Sequence, residues 1–207
     1  YHWSTKLNDK MRSIRSTALN AGLSSEVSID WEQSSTLYPE SYPYFVRGRD
    51  SLRSYITQLF TTEITMYDGA MGTMIQNQGK WLDEAAYRGT RFADWSCNVK
   101  GNNDLLSLTQ PQVIRKIHME YLQSGSRLIG TNTFSSTRIA QADYKMENLA
   151  YEMNYAGAKL AREVCDEMTS LHPDRPCFVV GALGPTNRTG SISPSVEDPS
   201  FRNVTFD

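Results

Sequence analysis

The chain is short of cysteine, short of histidine and without a long apolar run, and each shortage removes a class of protein. Cys97, Cys165 and Cys177 are the only cysteines in 207 residues, too few and too scattered for a disulfide framework, and no two form a Cys-x-x-Cys pair. Reduced thiols follow. Cys165 falls on the apolar side of a predicted helix and Cys177 opens a predicted strand, so both read as small core residues, while Cys97 lies in a polar loop. His2, His118 and His172 show no ligand spacing, and His172-Pro173 reads as a helix stop, so no histidine is assigned to a metal. No apolar run approaches the roughly 18 residues of a spanning helix, and the polar start Tyr1-His2-Trp3-Ser4-Thr5-Lys6 is not a signal peptide. Without a secretory signal, the Asn-x-Thr sequons at Asn187 and Asn203 carry little weight. Lys and Arg number 21 against 23 Asp and Glu, a net charge of −2 with no long block of one sign. That balance gives no support to a nucleic-acid or anionic-membrane surface and suits a small neutral substrate. The cytosol is the expected compartment.

What is present is an alternation of short apolar runs with longer amphipathic ones from residue 50 onward, the pattern of βα units around a parallel sheet. Residues 51–60 predict a short helix, and Ile64-Thr65-Met66-Tyr67 a first strand. A long polar connection follows, holding Trp81, Tyr87 and Arg88. Thr109 reads as an N-cap with Pro111 in the first turn, and Val113, Ile114, Ile117, Tyr121 and Leu122 form one stripe at helical spacing that ends at Gly125. Residues 127–130 predict the second strand. Leu149, Ala150, Met153, Leu160, Ala161, Val164 and Met168 line a second long helix stopping before Pro173. Residues 177–183 are nearly continuous in apolar character, as a third strand buried on both faces would be. Residues 145–170 are one amphipathic helix rather than a coiled coil. Residues 1–49 differ: serines, a Tyr38-Pro39-Glu40-Ser41-Tyr42-Pro43-Tyr44 stretch and no sustained periodicity predict a mostly irregular extension, with a short helix over 7–19 as its one regular candidate.

Four segments carry chemistry, each just past the end of a strand. The first is Asp68-Gly69-Ala70-Met71-Gly72-Thr73-Met74, in which a carboxylate can hold an ammonium group while glycines let backbone N–H groups approach a carboxylate. The same residues also make a plain strand-to-helix turn. Then come Lys100-Gly101-Asn102-Asn103-Asp104, Thr131-Asn132-Thr133-Phe134-Ser135-Ser136-Thr137 running on to Ala140-Gln141-Ala142-Asp143-Tyr144, and Gly181-Ala182-Leu183-Gly184-Pro185-Thr186-Asn187. In order and content they resemble the N-terminal part of the homocysteine-binding domain of cobalamin-dependent methionine synthases, within the zinc-dependent homocysteine S-methyltransferase family. The resemblance runs from about residue 50 to residue 207. It implies a (β/α)₈ TIM barrel, an α/β fold whose active site lies at the C-terminal ends of the strands. Such a barrel needs about 250 residues. The chain begins at Tyr1 and stops where the family's chain runs on, so the expectation is the N-terminal portion of a barrel, incomplete after about three βα units.

The resemblance further implies transfer of a methyl group from methylcobalamin to the thiol of homocysteine, giving methionine. Zinc held by cysteine sulfurs favours the thiolate of a substrate whose free pKa is about 8.5. Asp68 matches the acidic residue of the family's first motif and is the candidate for the homocysteine ammonium; the alternative is a cap of the next helix. Gly69 and Ala70 offer backbone to the carboxylate. Asn132 and Thr133 line the mouth, or else form an Asx or Ser/Thr turn, and residues 184–187 form a rim or simply a turn. The chain departs from the family at Ala70, usually a second Gly, and at Gly130, commonly Glu. No catalytic residue and no zinc ligand is expected in this chain, since the zinc cysteines belong beyond Asp207 and none of Cys97, Cys165 and Cys177 matches them. Homocysteine is the implied substrate, and the rest of the barrel with folate and cobalamin domains the implied partners. An alternative is a truncated or degenerate homocysteine-binding-like module with no catalysis of its own.

Overall fold

The computed structural model describes residues 49–79, 81–186, 188, 190 and 192–204. The predicted helix over 7–19, the extension before residue 49, and Asn187 lie outside the described residues. Helix α1 (Arg49–Thr62) is followed by short helices α2 (Met71–Gln76), α3 (Glu84–Arg88) and α4 (Leu106–Thr109), then α5 (Pro111–Gln123), strand β1 (Leu128–Gly130), the single turn α6 (Arg138–Gln141), the long α7 (Ala150–Leu171) and strand β2 (Phe178–Val180). Among the described residues no helix is long and apolar enough to cross a membrane.

The two strands pair in parallel, Leu128 with Phe178 and Gly130 with Val180. Because side chains alternate across a strand, Ile129 and Val179 face one side and Leu128 and Phe178 the other. The first pair packs with Leu122 of α5 and Ala161, Val164 and Cys165 of α7. The second pair packs with Leu52, Tyr55, Ile56 and Leu59 of α1. Helices therefore cover one face along its length, and α1 covers the lower end of the other. Arg127 strengthens that lower end: its buried guanidinium donates to the Tyr55 hydroxyl (2.9 Å), the Glu63 carboxylate (3.1 Å) and the Pro176 carbonyl (3.3 Å).

Three expectations change. The predicted first strand shrinks to one parallel bridge, Tyr67 with Leu128. Among the described residues it has a neighbour on one side only, and Ile64 is 93% exposed. The third strand is shorter than residues 177–183 because hydroxyls replace the ladder beyond Val180. The Ala182 N–H donates to Thr131 Oγ1 (2.9 Å), and the Thr133 hydroxyl donates to the Ala182 carbonyl (2.8 Å). Nor is that segment buried on both faces, since Val180 is 38% exposed and Leu183 84%. Thr109 is not an N-cap. It ends α4 with its hydroxyl on the Leu105 carbonyl, and Gln110 precedes Pro111 without a side-chain cap bond.

Both long helices follow their predicted stripes. Val113, Ile114, Ile117 and Leu122 are buried on α5, and Ala150, Met153, Ala161, Val164 and Met168 on α7. Gly125, at φ 106°, ends α5 in the left-handed region that favours glycine. The helix expected over 145–170 begins at Ala150, because Lys145 turns into the left-handed region and residues Glu147–Leu149 form a 3₁₀ turn.

Gly157, in the middle of α7, lies against the loop after β1. A Cβ there would meet Thr133 Cγ2 at 2.7 Å and the Asn132 carbonyl oxygen at 3.3 Å. Thr133 cannot rotate away without breaking its hydroxyl bond to Ala182. Helix propensity alone would favour Gly157→Ala by about 1 kcal/mol, whereas forcing an extra carbon into close packing costs about 1–3 kcal/mol. The expected outcome is a net loss of stability, read as a lower urea midpoint at unchanged m-value; a raised midpoint would show that the loop yields freely.

Candidate functional site

The loops beyond the strand ends are tied together by buried polar groups. Asn102 and Gln141 form a reciprocal amide pair, Asn102 Nδ2 to Gln141 Oε1 at 2.8 Å and Gln141 Nε2 to Asn102 Oδ1 at 3.1 Å. Gln141 also donates to the Ser135 carbonyl. Asp104 accepts from the Ser135 N–H (2.7 Å) and the Ser136 hydroxyl (2.8 Å), and burial raises its pKa against those two donors. Asn132 donates to the Asn103 carbonyl (2.9 Å) and the Ser107 hydroxyl (3.2 Å). These bonds join the second and third motifs, and the Thr131 and Thr133 hydroxyls tie the fourth to them at Ala182.

The long connection after α2 is shaped by one ion pair. Arg88 meets Glu84 one turn earlier (2.8 Å) and spreads its guanidinium over the carbonyls of Trp95 (2.6 Å) and Cys97 (2.9 Å). Glu84 in turn accepts the N–H groups of Val99 (3.0 Å) and Lys100 (2.7 Å). The Trp95 indole N–H then reaches the Tyr144 carbonyl (2.9 Å), and the Tyr87 hydroxyl reaches Asn103 Oδ1 (2.7 Å). Beside this network opens a cavity of about 500 Å³. Asn102, Asn103, Asp104, Asn132, Asp143 and Tyr144 give it a polar lining, and Met71, Phe134 and Pro185 an apolar one.

Of the sequence-predicted site residues, Asn132 lines this cavity, as do Met71 and Gly72 of the first motif. Asp68, Gly69, Ala70 and Thr133 do not. Thr133 spends its hydroxyl on Thr131 and Ala182. Asp68 is 8% exposed and does not cap a helix: Ala70 stands at the N-cap of α2 with no side-chain bond, and Asp68 Oδ1 instead accepts the Gly130 N–H at 2.8 Å. Burial pushes the Asp68 carboxyl up to about 6, the Gly130 N–H working the other way. Its Oδ2 lies 3.9 Å from Nδ1 of His118, a wholly buried residue of α5 that sequence reading passed over because a lone histidine on an apolar stripe carries no spacing signal. Burial pushes His118 down to about 4.

Ala70 and Gly130, the two positions expected to depart from the family, are both geometrically constrained. Ala70 sits at φ 46°, ψ 30°, the left-handed region in which a Cβ costs about 1 kcal/mol. Gly130 is close beneath Tyr67: a Cβ there would overlap the Tyr67 hydroxyl and come within 3.3 Å of Asp68 Oδ1.

The implied zinc does not fit the cysteines present. Burial raises the Cys165 thiol to about 12 and raises Cys177 as well, which opposes the thiolate that the metal needs. Cys97 donates its thiol to the Tyr144 carbonyl at 3.1 Å. Among the described residues no three His, Cys, Asp or Glu side chains gather as a metal set.

Two outcomes are expected. Ala70→Gly relieves the left-handed strain and raises unfolding stability by about 0.5–1 kcal/mol, part of the gain being lost to the freer unfolded chain. Asp68 binds its proton more tightly folded than unfolded, so its contribution to stability falls as pH rises from about 4 to about 6. His118 is depressed, so its contribution falls in the opposite sense, as pH drops from about 6.5 towards 4. The two offset each other. Asp68→Asn keeps an acceptor for Gly130 and removes one of them, so this variant should melt above the parent at pH 7 and lose that advantage as pH falls towards 4. Parallel melting curves across that range would contradict the buried, proton-binding Asp68.

The family model described as homocysteine S-methyltransferase matches residues 65–207, more than half of the chain. Solved structures of the homocysteine methyltransferase MmuM from Escherichia coli are similar to it in part. The oxidized form aligns at 21% identity and a TM-score of 0.49, over 63% of this chain and 40% of that one. The metallated form aligns at 20% identity and a TM-score of 0.48, over 63% of this chain and 41% of that one. The chain thus spans about two fifths of the length of these proteins. On the family match across residues 65–207, which takes in all four motifs, the chain belongs to the homocysteine S-methyltransferase family.

Proposed function

We propose that this chain supplies the amino-acid-binding part of a methionine-synthase-type homocysteine S-methyltransferase, folded as the first βα units of a TIM barrel. The observation that carries the reading is the convergence of the Gly-Asn-Asn-Asp, Asn132 and Gln-Ala-Asp-Tyr segments around one polar cavity at the strand ends. An α-amino acid needs a carboxylate for its ammonium group and N–H donors for its own carboxylate. Asp68 is assigned the first role, with its charge buried and no arginine or lysine paired to it among the described residues. Gly69 and Ala70 are assigned the second through their backbone, and Asn132 the mouth, with Thr133 holding the loop behind it. Zinc, when bound, would favour the thiolate form of the homocysteine thiol at neutral pH, and on this reading its ligands come from outside Cys97, Cys165 and Cys177. Methylcobalamin as donor, and folate and cobalamin domains as partners, belong to the same proposal.

A second reading is a truncated or degenerate homocysteine-binding-like module with no catalysis of its own, in keeping with the strained Ala70 beside the assigned ammonium site. Methyl transfer to homocysteine by the full-length protein separates the two. Asp68→Asn removes a charge-assisted hydrogen bond at nearly constant volume, so homocysteine affinity should fall by roughly 10- to 150-fold in calorimetric titration of the full-length protein, with folding preserved. Unchanged affinity would take Asp68 out of the site.

A further inference from the structure

His118 is the one residue of α5 whose burial the packing does not explain. It is 0% exposed, yet neither ring nitrogen has a hydrogen-bond partner among the described residues. An unsatisfied buried polar group costs about 1–3 kcal/mol, and an apolar side chain would fill the same space without that cost. Asp68 Oδ2 lies 3.9 Å from Nδ1, just too long for a hydrogen bond. Asp68 Oδ1 is already held by the Gly130 N–H, so Oδ2 is the oxygen left to move or to bind.

We propose that His118 is a positioning residue for substrate binding: when an ammonium group docks at Asp68, the His118 Nδ1–H closes on Oδ2 and aims the carboxylate. This rests on the reading of Asp68 as the ammonium acceptor. The titratable groups around that carboxylate are Tyr67 beside it in the chain, His118 from α5 and Cys165 from α7; β1 contributes only the Gly130 N–H. The choice of histidine has a chemical reason. An arginine or lysine in its place would neutralise Asp68 and compete with the incoming cation. A buried imidazole, neutral above pH of about 4, donates a hydrogen bond while leaving the carboxylate charge to the ligand. A donor that favours the ionised carboxyl also lowers the pH at which the site becomes competent.

The test is titration of L-homocysteine into the full-length protein from pH 5 to 8, comparing parent, His118→Phe and His118→Asn, with Asp68→Asn as the reference. Phe keeps the ring volume without a donor, and Asn restores an N–H near the Nδ1 position. His118→Phe is expected to weaken binding about 10-fold, the order of one hydrogen bond to a charged group, and to move the pH midpoint of binding upward; His118→Asn should recover most of both. If Asp68→Asn weakens binding but His118→Phe changes neither the affinity nor the midpoint, the positioning role is overturned and the reading of Asp68 stands. If Asp68→Asn has no effect, that reading fails first. Should His118→Phe not fold, ¹⁵N-imidazole NMR of the parent decides: homocysteine should bring His118 to the Nδ1–H tautomer, and a ring protonated at Nε2 alone in the bound protein overturns the proposal.

Discussion

The amide pair between Asn102 and Gln141 is the interaction on which the candidate site depends. Both side chains are almost wholly buried, and each satisfies the other at donor and acceptor. Replacing Asn102 by an apolar residue would leave Gln141 Oε1 without a bond in a low-dielectric place, and replacing Gln141 would leave Asn102 Oδ1 so, which is more costly than never having had the pair. Through Gln141 the pair reaches the Ser135 carbonyl, and the next loop is held by Asp104 and Asn132. The cavity walls are thus one hydrogen-bonded frame. Its members come from motifs that look, in the sequence, like a list of substrate contacts.

That distinction marks how far the sequence was legible. Helices α5 and α7 could be read because a stripe at a period of 3.6 residues has one explanation, burial of one face, and both stripes are buried. The second and third strands lie where they were expected but are shorter, and the first is reduced to one bridge at Tyr67. Apolar runs report that a segment can be a strand; whether the ladder continues depends on its neighbour, and at Ala182 the hydroxyls of Thr131 and Thr133 intervene. The family was legible from ordered motifs. Individual roles were less so: Thr133 and Gln141 serve the frame, and Asn132 does both, lining the cavity while donating to Asn103 and Ser107.

Three residues were beyond reach of pattern reading. His118 lies on the apolar stripe of α5, and only three-dimensional proximity sets it beside Asp68. Gly157 looks like a mildly poor helix residue until the loop after β1 is seen lying on it. Arg127 belongs to the same group, since a charged residue at a strand entrance is ordinary until Tyr55, Glu63 and Pro176 are found around it. In each case the signal is tertiary.

The contact between Tyr67 and Gly130 has a consequence for how sequences like this one can diverge. The phenol occupies the volume that any side chain at position 130 would require, and the two positions face each other across neighbouring parallel segments. A larger residue at 130 is then accessible only along a path in which position 67 shrinks first; the reverse order passes through an intermediate with overlapping atoms next to a buried carboxylate. The pair is a ratchet in sequence space. Tyr67 keeps Gly130 from being enlarged first, whereas Gly130 sets no such bar on Tyr67, so the order of change runs one way only.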